Sequence, residues 1–147
     1  MFYAIQPQCG MSLALSVESS TSLVYVSTAS TPPGDGQLWQ PVMFFPHNEP
    51  LGLILVNKLS ELAACPPEKG GDFQHVTQIP LSDVRAKNVW AIVSIGGGVR
   101  INVVQDDSRN LRVPTVPGCS DGTAVIAFQW GGGEPNETWW LTPVPAS

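Results

Sequence analysis

The residues best suited to chemistry gather over positions 122–141, GTAVIAFQWGGGEPNETWWL. Trp130 closes a strand-like run. Three glycines follow, and a polar turn holding Glu134, Asn136 and Glu137 leads to Trp139 and Trp140. Three of the five tryptophans fall within these eleven residues, 130–140. An indole at the edge of a flexible turn, with amide and carboxylate groups four to seven residues further on, suits a sugar ring. The C–H face of the ring stacks on the indole, and its hydroxyls pair with the polar groups. The competing reading is a tryptophan that only fills a β core. Asn136-Glu137-Thr138 also spells a glycosylation sequon, and its place beside Trp130 favours a ligand role for Asn136. Asp106 and Asp107, after a strand-like run, are a further acidic candidate, against the alternative of a solvated loop.

Other chemistries find little support. His47 and His75 lie far apart with no ligand spacing around them, so neither a metal nor a cofactor is expected. There is no G-x-S-x-G elbow, and Cys9 has no histidine near it in sequence. Glu61, Glu68 and Asp72 could form a glycosidase pair, but nothing marks them. The glycine triplets at 96–98 and 131–133 lack the lysine and helix of a phosphate loop and read as turns.

Composition restricts the class. The chain has 147 residues, 43% hydrophobic and 13% charged, with 14 glycines and 14 prolines. That fits one domain of many short strands joined by turns. A net charge of −5 argues against a nucleic-acid backbone or an anionic membrane surface as partner. The longest apolar runs are too short to span a bilayer, so no membrane insertion is expected. No signal peptide is read at the start. Cys9, Cys65 and Cys119 form no C-x-x-C pair and are read as reduced thiols of a cytoplasmic protein, with one disulfide plus one free thiol as the alternative.

The elements that must hold these residues are strands. Alternation or β-rich composition marks about twelve short ones: four in the first 45 residues, then runs at 51–56, 61–65 and 74–81, then 89–95 and 99–104 across the 96–98 turn, and finally 125–129 and 138–144. Polar turns are read at 18–22 and 66–72, and a long polar and proline loop over 105–121. The strands fall into three similar blocks. Phe2 and Leu51 are 49 residues apart, as are Leu13 and Leu62, and Gln37-Leu38-Trp39 corresponds to Glu137-Thr138-Trp139. The second block fits worst, and Trp90 either closes it or opens the third. Placing Trp90 with the 96–98 hairpin gives repeats of about 1–47, 48–87 and 88–147 in a single domain.

Three four-stranded repeats with a Gln-x-Trp-like signature resemble the β-trefoil of ricin-B-type lectins, in which the signature Trp is a core residue. The chain is most similar to the Euonymus-lectin family. Leu55-Val56-Asn57-Lys58 looks like that family's LVNK segment, and Val99-Arg100-Ile101-Asn102 like its IRLN segment. Asp121-Gly122-Thr123, Gln129-Trp130-Gly131 and Asn136-x-x-Trp139 look like its ending. The resemblance implies an all-β trefoil with a degenerate second repeat. It also implies a carbohydrate site, often for mannose-containing glycans, built from an Asp, a Trp and a Gln. The Trp maps to Trp130 and the Gln to Glu137 or its neighbour. The Asp falls in the first-strand turn, where this chain has Gln6, Pro7 and Gln8, so amide and acid are exchanged.

The combined expectation is a non-enzymatic lectin for mannose- or galactose-type glycans or glycoproteins, with its site on the third repeat. Trp130 stacks on the sugar. Gln8, Asn136 and Glu137 bond its hydroxyls, with Gln6 and Asp106 as outer candidates. Homo-oligomerisation would raise the avidity of one weak site. The alternative is a β-trefoil protease inhibitor using loops 27–36 and 106–118.

Overall fold

The computed structural model describes residues 1–18, 23–68 and 74–145. The expected turn at 18–22 lies outside these from residue 19 on, as do residues 69–72 of the expected 66–72 loop, Asp72 among them.

Among the described residues twelve strands carry the fold: β1 (Phe2–Pro7), β2 (Leu13–Ser16), β3 (Tyr25–Thr28), β4 (Trp39–Phe44), β5 (Gly52–Asn57), β6 (Ala63–Cys65), β7 (Thr77–Ile79), β8 (Trp90–Ser94), β9 (Val99–Val103), β10 (Asp106–Arg112), β11 (Ile126–Gln129) and β12 (Trp139–Val144). Six of them close on themselves. β1 pairs with β4, β4 with β5, β5 with β8, β8 with β9, β9 with β12, and β12 with β1, all antiparallel. Closure leaves this barrel without an exposed sheet edge. The pairs β2–β3, β6–β7 and β10–β11 form three hairpins against one end.

The internal symmetry is written in hydrogen bonds. Trp39, Trp90 and Trp139, each 0% exposed, donate their indole N–H to the carbonyls of Leu15, Ala64 and Leu111 at 2.9, 3.0 and 2.9 Å. A buried indole needs such a partner. Ile5, Leu55 and Ile101 fill the layer beside them. At the hairpin end Val24 N–H bonds Val76 O, Val76 N–H bonds Val125 O, and Val125 N–H bonds Val24 O, at 3.0–3.1 Å. This is the all-β trefoil expected from the sequence.

Three expectations need correction. Trp90 begins β8 and bonds back to Ala64, so it closes the second repeat, and the boundary expected at residue 87 moves to the β8–β9 turn. The hairpin across residues 96–98 exists as expected, Ile92 opposite Ile101. It joins two repeats because each repeat's last strand pairs with the next repeat's first. Second, residues 106–112 form strand β10 rather than loop. Three of its four buried positions are polar: beside Leu111, the side chains of Arg109, Asn110 and Arg112 are buried and bonded to Asp106, Phe128 O and Glu137. Third, Cys9 and Cys119 are disulfide-bonded, with Cα atoms 6.0 Å apart, a normal separation for a bridge. Cys65 is the free cysteine.

Candidate functional site

Trp130 directly follows β11, and its backbone N–H bonds Ser108 O at 3.0 Å. Its indole is half-buried and held from two directions. The Arg100 guanidinium lies 4.9 Å from the ring centroid, itself fixed by Asn110 Oδ1 and Asp107 O. Gly133, at φ +98°, brings backbone against the ring: a Cβ there would meet Trp130 Cζ2 at 3.6 Å. Such a φ favours glycine. Trp130 forms one wall of a depression of about 290 Å³, whose other walls are Gln8, Ile95, Gly97, Gly132, Gly133 and Thr138. Gln8 arrives from the turn after β1, its N–H bonded to Thr138 O at 2.9 Å and its Nε2 donating to Gly97 O. Residues from the first and third repeats and the β8–β9 turn therefore meet at one place.

The other expected residues are dispersed. Glu137 is 0% exposed. Its carboxylate accepts the N–H groups of Gly131, Gly133 and Glu134 at 2.9–3.0 Å and pairs with Arg112 at 3.1 Å. It cannot reach a ligand, and its role as a sugar contact is corrected to that of a post holding the glycine loop. Gln37 and Asn88, two residues before Trp39 and Trp90, are likewise buried. Asn136 lies on the far side of the turn. Its Nδ2 donates to Val113 O at 2.9 Å, and it lines a separate opening of about 440 Å³ with Cys9, Thr115, Cys119 and Pro135. Gln6 is two residues back along β1, its Nε2 bonded to Met11 O at 2.9 Å, and it lines another opening with Ala4, Ala14, Gln37 and Thr142. Asp106 lines a third cavity, of about 360 Å³, with Pro67, Glu68, Lys87 and Arg109, and pairs with Arg109 at 2.7 Å.

Of the six sequence candidates the depression thus unites Trp130 and Gln8. Sequence reasoning missed Ile95 and Thr138, which line it, and Arg100, which braces its indole. Among the described residues no His, Cys, Asp and Glu cluster could hold a metal. Burial pushes the Cys65 thiol up, partly offset by a hydrogen bond from Asn88. Burial, then Glu18 and Asp121, push the Tyr25 phenol up.

The architecture matches solved structures along its length. A designed three-fold symmetric protein, ThreeFoil, superposes with a TM-score of 0.76 and 26% identity over 97% of this chain and 99% of that one. A ricin B-like lectin from Macrolepiota procera, solved with lactose, gives 0.75 with 16% identity over 96% and 93% of the two chains. A GlcNAcα1-4Gal-releasing endo-β-galactosidase from Clostridium perfringens gives 0.78 with 12% identity; the match takes 98% of this chain and 32% of that one. No family model matches the sequence, and no curated protein matches it. The chain has the β-trefoil fold of ricin-B-type lectins. The indole of the third repeat does not recur in the other two. Counting from Val24, Val76 and Val125, the positions equivalent to Trp130 hold Ala29 and Leu81.

Proposed function

We propose that this protein is a non-enzymatic lectin that binds mannose- or galactose-type sugars in the depression beside Trp130. The observation that carries the reading is a half-exposed indole, braced by Arg100 and Gly133, that breaks the repeat and faces the tethered amide of Gln8. A ring held on one edge and from Arg100's side leaves apolar surface for the C–H face of a hexose. Gln8 Oε1 and the Gly97 carbonyl are acceptors for its hydroxyls. The Macrolepiota lectin solved with lactose, on the same fold, and the Euonymus-like segments support the assignment. One shallow site of this kind binds at roughly micromolar to millimolar strength, so we expect avidity from self-association on multivalent glycoproteins. A chain that keeps the Cys9–Cys119 bond acts where disulfides persist, so we place its action outside a reducing cytosol, away from the compartment expected from the sequence.

A glycan array identifies the sugar, and titration of that sugar into Trp130→Ala tests the site. We expect at least a tenfold loss of affinity, about the worth of a stacked ring plus its ordering. Unchanged affinity in a folded Trp130→Ala removes the assignment.

Protease inhibition has one observation behind it. Val116, between Pro114 and Pro117 on the loop tied by Cys119, is 84% exposed. Inhibition of a protease panel without glycan binding selects that reading.

A further inference from the structure

Gln8 and Thr138, which line the Trp130 depression, are the residues that follow β1 and precede β12. Side chains alternate across extended backbone, so Gln8, one residue past β1, falls on the side of Gln6, and Thr138, one residue before β12, on the side of Trp140. Gln8 N–H bonds Thr138 O, and Gln6 stands opposite Trp140. These are alternate rungs, with Pro7 opposite Trp139 between them, and lie about 7 Å apart along the backbone by the rise of an antiparallel strand. Trp139 faces the core at 0% exposure, whereas Trp140 is 39% exposed. At the equivalent positions after Trp39 and Trp90 stand Gln40 and Ala91, so the fold does not require an aromatic there. Gln6 Nε2 is tethered to Met11 O as Gln8 Nε2 is to Gly97 O. Each rung therefore presents a fixed amide, with its Oε1 available, and each lies beside an indole.

We propose that the Gln6–Trp140 rung is a second sugar subsite, and that the ligand is a glycan of at least two units, one on Trp130 and the next on Trp140. The proposal rests on the reading of the Trp130 depression given above. The apolar-plus-amide chemistry of each rung suits neutral sugars.

The test is calorimetric titration of wild type, Trp130→Ala and Trp140→Ala with galactose and lactose, and with mannose and α-linked mannobiose. Wild type should bind one disaccharide more tightly than its monosaccharide. Trp140→Ala should lower the affinity for that disaccharide about tenfold and leave the monosaccharide unchanged. Trp130→Ala should abolish both. Because Trp140 lies outside the core, its variant should keep the wild-type circular dichroism and melting temperature. The second subsite is overturned if wild type does not discriminate, or if Trp140→Ala binds the disaccharide as wild type does. It is also overturned if Trp140→Ala weakens mono- and disaccharide equally. In those three cases loss of binding in Trp130→Ala keeps the first site standing. Undiminished binding by Trp130→Ala, or no binding of any probe by wild type, removes both.

Discussion

Glu137→Gln tests how the third repeat is held together. The Glu137 carboxylate is fully buried and takes three backbone N–H groups from the glycine loop, besides Arg112. An amide of the same shape offers one acceptor oxygen and turns an NH₂ toward groups that are themselves donors. It also strands Arg112, whose buried side chain keeps a 3.1 Å contact with the half-exposed Glu134. Breaking a buried pair by removing one partner costs about 3–5 kcal/mol. The surviving oxygen and Glu134 offset part of this, so the expected loss is about 2–4 kcal/mol. Urea unfolding followed by tryptophan fluorescence reads it, and with a slope near 2 kcal/mol per M the midpoint should fall by roughly 1–2 M. Adding Arg112→Met removes the stranded charge and should recover part of the loss, a coupling that a double-mutant cycle measures. A midpoint change worth less than about 0.5 kcal/mol, the range of ordinary surface substitutions, refutes the reasoning.

Two further outcomes are expected. Trp90→Phe loses the bond to Ala64 O and should cost about 1–3 kcal/mol, as should Trp39→Phe and Trp139→Phe; a neutral Trp90→Phe beside two costly partners would contradict the repeat assignment. In denaturant, thiol titration should count one reactive cysteine per chain before reduction and three after, and three before reduction would deny the Cys9–Cys119 bond. In the native protein Cys65 should react slowly at neutral pH and faster only above the ordinary thiol range, because burial raises its pKa and keeps the thiolate fraction small.

Alternating apolar residues made most strands legible, and the spacing of Trp39 and Trp139 made the repeat legible. β10 was hidden because Arg109, Asn110 and Arg112 are buried through specific partners rather than by apolar character, so hydrophobic patterning reads them as loop. Trp90 was misplaced for a related reason. Strong pairing between β8 and β9 says that two strands are neighbours, not that they belong to one repeat. The 110-residue separation of Cys9 and Cys119 leaves no local trace. At the site, Trp130 was visible as an indole at the edge of a glycine-rich polar turn, but Glu137 was not visible as buried. Its Gln-like place before Trp139 and its ligand-like chemistry point in opposite directions, and only its bonds to the glycine loop decide between them.

The ring formed by Val24, Val76 and Val125 makes the three repeats mutually dependent. Each lends one amide to the next and receives one from the last. An excised repeat would carry an orphan donor and an orphan acceptor at its apex, and unpaired barrel strands below. Such a fragment is complete only in threes. Its open edges would find either two sister copies, restoring the ring, or an endless succession of them. In the intact chain the linkers between repeats make the closed outcome the intramolecular one.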